Sequence, residues 1–128
     1  MILTIRTDKP EAEIGLFDGQ QKIAYEKWQA HRQLAETIHL KLQELLDGQG
    51  VLHDTSGIVI FLGPGSFTGL RIGMSVGNAL AYSLDIPIIA TAGEEWIQQG
   101  VASILANPSK RSVVPEYGAP AATTTQKK

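Results

Sequence analysis

The residues best suited to chemistry lie at one junction, where Gly57-Ile58-Val59-Ile60-Phe61-Leu62 runs into Gly63-Pro64-Gly65-Ser66-Phe67-Thr68-Gly69-Leu70-Arg71-Ile72-Gly73. An apolar run followed by a Pro/Gly turn and hydroxyl side chains reads as a strand buried on both faces, a sharp loop and a helix start. Ser66 and Thr68 there offer oxygens to open N–H groups. Such a loop is also where a helix N-terminus meets a phosphate. The nucleotide patterns do not fit it. A Walker loop ends in Gly-Lys-Ser/Thr, whereas this one ends in Gly69-Leu70-Arg71, with neither the phosphate-reaching lysine nor the adjacent hydroxyl for magnesium. In the dinucleotide pattern the third glycine would stand one residue earlier than Gly69. Ser66 is not a hydrolase elbow, which needs glycines two residues to either side.

The remaining reactive groups are sparse. His31, His39 and His53 lack the close pairing of a helical metal site, so no metal is expected. The chain has no Cys, which excludes disulfide scaffolds, thiolate zinc sites and cysteine nucleophiles. Asp8, Glu11 and Glu13 could imitate an acid/base pair, but their alternation in a hairpin fits solvated positions. A formal net charge of −2 gives no basic field for holding RNA or DNA directly. No charged-then-apolar leader and no membrane-length apolar run is read, which makes the cytoplasm the expected address.

The elements that position the junction follow from periodicity. Residues 1–7 read as a strand, Asp8-Lys9-Pro10 as a breaker and 12–17 as a second strand. Asp18-Gly19 marks a tight hairpin, and 21–28 returns as a third strand. Leu34, Ala35, Ile38, Leu42, Leu45 and Leu46 share one face of a helix over 34–46, opposite Glu36, Lys41, Gln43 and Glu44, with Leu40 alone on the polar side. A strand at 58–62, a helix at 68–84, a strand at 86–90 and a helix at 94–105 complete a lobe over 1–106. Residues 107–128, rich in Pro and Thr, read as a flexible tail. Trp28 and Trp96 read as core or rim packing.

The 68–84 helix is unusual. Gly69, Gly73, Gly77 and Ala81 recur every fourth residue and form a ridge without side chains, which another backbone can approach closely. Arg71, Ser75, Asn78 and Tyr82 form a narrow polar stripe, and Leu70, Ile72, Met74, Val76, Leu80 and Leu84 cover much of the rest. A helix apolar nearly all round is expected to be covered by more than its own sheet, by another lobe or another chain, unless the core is self-sufficient.

The order β-β-β-α-β-α-β-α with an opening antiparallel meander is that of a ribonuclease-H-like half-domain. If the later strands run parallel to the first, right-handed crossovers put helices 34–46 and 68–84 side by side on one face. Such a helix pair is suited to a four-helix contact with an equivalent pair.

The run from Gly63 to Gly73 resembles the signature of the bacterial TsaB (YeaZ) family, as do the Ile2-Leu3-x-Ile5-x-Thr7 opening, His31 before the first helix, and Ile86-Pro87 before a strand. The resemblance covers roughly residues 1–106. It implies an α/β fold of the actin-like ATPase superfamily in a shortened form with the second lobe missing. It also implies a non-catalytic scaffold that binds a TsaD-type threonylcarbamoyl transferase through its helices, within an assembly including a TsaE-type ATPase, for threonylcarbamoyladenosine formation in tRNA. Arg6 stands where the family has an aspartate, and a guanidinium cannot ligate magnesium. Val113-Val114-Pro115-Glu116-Tyr117 resembles a Pro-x-Tyr near the family's C-terminus.

The expected partner interface is His31, His39, Leu40, Gln43, Gly69, Leu70, Arg71, Gly73, Met74, Gly77, Asn78 and Ala81, beside the signature loop Gly63, Pro64, Gly65, Ser66, Phe67 and Thr68. No catalytic residue, metal or cofactor is expected, a nucleotide entering only at an interface with the partner. Arg71 could meet a partner carboxylate or a phosphate at a shared interface. The alternatives are an independent nucleotide-binding phosphotransferase or ATPase of the actin-like superfamily, and a homodimer through the same helices.

Overall fold

A computed structural model describes residues 1–49 and 54–106. The expected tail, the Val113–Tyr117 resemblance and His53 lie outside the described residues. The elements are β1 (Ile2–Arg6), β2 (Glu11–Asp18), β3 (Gln21–Gln29), α1 (Leu34–Gln49), β4 (Gly57–Phe61), α2 (Phe67–Leu84), β5 (Ile88–Thr91) and α3 (Trp96–Ala106), with a short 3-10 turn, His31–Gln33, leading into α1. They follow the expected order, with ends shifted by at most three residues.

The five strands form one sheet in the order β3-β2-β1-β4-β5. β1 pairs antiparallel with β2 and parallel with β4, and β4 pairs parallel with β5. The two crossovers, from β3 through α1 to β4 and from β4 through α2 to β5, therefore advance in one direction, and α1 and α2 share one face of the sheet. Leu3, Ile5, Ile14, Leu16, Ile58 and Ile60 meet Leu34, Ile38, Leu42, Leu45, Leu46 and Met74 there. The opposite face, with Ile2, Val59 and Phe61, is covered by Trp96, Val101 and Ile104 of α3. Every residue of β4 is buried, as its unbroken apolar run requires. Trp96 meets Phe61 edge-on at 5.6 Å, and half-buried Trp28 donates its indole N–H to Thr37 Oγ1 at 3.0 Å.

The acidic residues of the hairpin depart from expectation. Glu13 is buried, because β2 lies between β1 and β3 and is not a sheet edge. Its carboxylate accepts the Tyr25 hydroxyl at 2.5 Å and lies 3.7 Å from Lys9 Nζ. Burial first, then the hydrogen bond and charge of Glu13, push the Tyr25 pKa well above its ordinary value of 10.0, against a smaller lowering by Arg6. A raised folded-state pKa adds stability that is complete below the unfolded value and is lost as pH rises through the folded one. Unfolding followed from pH 8 upward should show stability declining above pH ~10, with a smaller decline in Tyr25→Phe; parallel curves would exclude this linkage.

The glycine ridge does not face outward. Gly69, Leu70, Gly73, Met74, Gly77 and Ala81 are all buried, and the ridge lies against the protein's own sheet. A Cβ at Gly69 would overlap the Thr7 carbonyl oxygen, and one at Gly73 would overlap Thr7 Oγ1. At Gly77 it would lie 2.6 Å from Ile60 Cδ1. These six residues are therefore corrected from partner contacts to interior ones: the close approach that glycine permits is taken by β1 and β4. Gly73→Ala should lower stability by about 1–3 kcal/mol in urea denaturation, since Thr7 Oγ1 must move and lose its 2.7 Å bond to the Gly69 carbonyl. An unchanged midpoint would show that this packing has slack.

Candidate functional site

Two surface features adjoin the signature loop. The first is the loop itself, seated on the exit of β1. The Ser66 N–H donates to the Asp8 carbonyl at 2.9 Å, Thr7 Oγ1 donates to Gly69, and a Cβ on Gly65 would lie 2.5 Å from Asp8 Cβ. Ser66 caps α2, its Oγ accepting from the Gly69 N–H at 3.3 Å, as the Ser-x-x-Gly spacing allows. Thr68, also expected to cap, lies inside the first turn. The Gly63–Pro64 peptide is cis.

Beside this loop opens a cavity of about 560 Å³ lined in part by Asp8, Lys9, His31, Arg32, Ser66 and Thr68. Arg6 holds Asp8 with two bonds, Nε to Oδ1 at 2.8 Å and a terminal nitrogen to Oδ2 at 3.2 Å, while its guanidinium lies 3.9 Å from the Phe61 ring centroid. Burial acts to lower the Arg6 pKa, but the hydrogen bond and charge of Asp8, with Glu13 and Tyr25, outweigh it and raise the value. Where the resemblance implies an acidic group, this chain thus carries a cation with its own carboxylate partner. Among the described residues, no three His, Cys, Asp or Glu side chains assemble as metal ligands.

The second feature is the groove between α1 and α2, on the side away from the sheet. One stretch, about 360 Å³, is lined by Ala35, His39, Phe67, Thr68, Arg71, Ile72, Ser75 and Val76. The next, about 390 Å³, continues along Leu42, Gln43, Leu46, Asp47, Ala79, Leu80 and Ser83, with His39 and Val76 common to both. Leu40, Phe67 and Tyr82 are 55%, 52% and 91% exposed, large apolar surfaces for a domain of this size. Of the expected interface, His39, Leu40, Gln43 and Arg71 are exposed on the helix pair and Asn78 is half-buried. His31 lies apart, on the cavity beside the loop.

Ala35, expected on the apolar face of α1 with Leu34 and Ile38, is instead exposed and lines the groove. On α2, sequence reasoning missed Ala79 and Ser83 as groove residues, and Phe67 as more than a loop position. They lie off the buried ridge on the outward side that Arg71, Ser75 and Tyr82 already mark. Reading the glycine ridge as the inward face would have selected them.

A family model described as TsaD: tRNA N6-adenosine threonylcarbamoyltransferase matches residues 28–103, more than half of the chain. The chain belongs to this family, as a member of TsaB (YeaZ) type. The tRNA threonylcarbamoyladenosine biosynthesis protein TsaB of Bacillus subtilis (strain 168) is 55% identical over 44 residues, covering 34% of this chain and 19% of that one. The protein of the same name from Escherichia coli (strain K12) is 30% identical over 113 residues, covering 82% of this chain and 48% of that one. YeaZ from Pseudomonas aeruginosa superposes with a TM-score of 0.67 at 26% identity, over 77% of this chain and 49% of that structure. The fold is thus the YeaZ-like half-domain: the element order implied its ribonuclease-H-like plan, and the resemblance implied its actin-like class. The chain spans about half or less of the length of the relatives it matches.

For this family member the loop acts first as a structural joint. Ser66→Ala should cost about 1 kcal/mol of stability, measured by thermal or urea unfolding, through loss of the α2 cap. No change would mean that another group caps the helix.

Proposed function

We propose that this family member serves threonylcarbamoyladenosine formation in tRNA as a non-catalytic subunit, docking a TsaD-type transferase along the α1–α2 groove. The observation that carries this reading is the groove itself: a mostly apolar trough on a helix pair, with Phe67 in its wall and Leu40 and Tyr82 exposed on the same two helices. Two parallel helices offering such a trough suit an equivalent pair laid across them. The relatives, among them a TsaB and a tRNA N6-adenosine threonylcarbamoyltransferase, support the pathway. The loop's polar groups support a subunit without chemistry of its own, because Thr7 Oγ1 is spent on the Gly69 carbonyl, Ser66 Oγ on the α2 cap and the Asp8 carboxylate on Arg6. No cofactor belongs to the isolated chain in this reading; a nucleotide would enter only at a boundary with a partner. Recruitment of a TsaE-type ATPase follows from the transferase complex, and a homodimer would compete for the same groove.

A second reading, an independent nucleotide-binding enzyme, has in its favour the cavity beside the α2 N-terminus with Lys9, His31 and Arg32 on its wall. Calorimetric titration with ATP and magnesium separates the two, the subunit reading predicting no binding to the chain alone.

The docking reading is tested by Ala79→Arg, which sets a long charged side chain in the groove at an exposed position and leaves the core intact. Co-purification with the tRNA N6-adenosine threonylcarbamoyltransferase of the same organism should fall at least tenfold, and reconstituted modification with it, while the unfolding midpoint stays unchanged. Full retention of the complex would overturn the assignment.

A further inference from the structure

Among the described residues lining the groove the guanidinium of Arg71 is the cation, set in the first stretch beside His39, and that stretch has no carboxylate in its wall. Asp47 belongs to the stretch at the far end. The ion pairs present among the described residues match Arg6 with Asp8, Lys9 with Glu13 and Lys41 with Glu26, and none includes Arg71. The Arg71 guanidinium instead lies 5.6 Å from the centroid of the Phe67 ring, one turn earlier on the same helix. Exposed, it is solvated and costs nothing. Once another helix closes the groove, water leaves, and a guanidinium covered by apolar surface without a counter-charge is strongly unfavourable. The groove's apolar wall and its cation are compatible with a cover only if the cover brings an anion to that point.

Resting on the docking reading above, we propose that Arg71 is the specificity residue of the groove and takes an Asp or Glu carboxylate from the transferase helix that covers it. The fork of N–H donors suits a carboxylate bound through both oxygens, and the Phe67 ring limits the guanidinium's swing before docking. A carboxylate thereby fixes the register of the incoming helix, which apolar contacts alone leave free to slide.

The test measures binding of the same organism's tRNA N6-adenosine threonylcarbamoyltransferase to wild type, Arg71→Glu, Arg71→Lys and Ala79→Arg, at two salt concentrations and without nucleotide. Arg71→Glu should weaken binding at least about thirtyfold, Arg71→Lys less, and wild-type affinity should fall with added salt. Arg71→Glu binding within about threefold of wild type while Ala79→Arg abolishes the complex would overturn the carboxylate proposal and leave the groove standing. Unweakened binding of both variants would overturn both readings. Weakening by Arg71→Glu only when ATP is present would make Arg71 a phosphate contact and overturn the proposal. Should Arg71→Glu fold poorly, wild-type affinity independent of salt would overturn it by itself.

Discussion

The architecture depends on how closely α2 can lie on the sheet. With Gly69 and Gly73 over Thr7 and Gly77 over Ile60, the helix backbone approaches the strands at distances that a side chain would forbid. That approach lets Thr7 bond directly to the Gly69 carbonyl and the Asp8 carbonyl accept from Ser66, so the end of β1 and the start of α2 form one joint. Helix α3 uses the same device on the other face, where Gly100 sits over Val59 and Gly57 sits under Ile104.

The outer surface follows from that seating. Once the small-residue ridge points inward, the opposite side of α2, from Arg71 through Ser75 to Tyr82, must point away from the sheet. Ile72, Val76 and Leu80 then lie half-buried toward α1 and form the floor of a groove. The surface expected to receive a partner is therefore set by the contact that holds the monomer together, and the two occupy opposite sides of one helix.

Much of this was legible in the chain. The alternating and unbroken apolar runs fixed the strands, the spacing of Leu34, Ile38, Leu42 and Leu46 fixed α1, and Ser66 before a glycine-bearing helix marked the cap. The direction of the Gly69, Gly73 and Gly77 ridge was not legible, because small residues every four positions admit any close neighbour, and the pattern is the same whether that neighbour is a partner or the protein's own strand. Glu13 was misread for a related reason: alternation in a hairpin does not say which strand lies at the edge, and only the pairing of β2 with both β1 and β3 buries its carboxylate. Arg6 was seen as a departure from the family pattern, but its bidentate hold on Asp8 needed the geometry of the strand end.

The central claim is that the outward face of α1 and α2 receives the transferase. Hydroxyl-radical footprinting tests it directly, since Tyr82 is 91% exposed and Leu40 and Phe67 are more than half exposed, all three open to oxidation in the free chain. Adding the same organism's tRNA N6-adenosine threonylcarbamoyltransferase should shield Leu40, Phe67 and Tyr82 together and leave Ile23 on β3 as reactive as before. Unchanged reactivity at all three, with protection appearing on β3 or beside Lys9 and Arg32, would contradict the account.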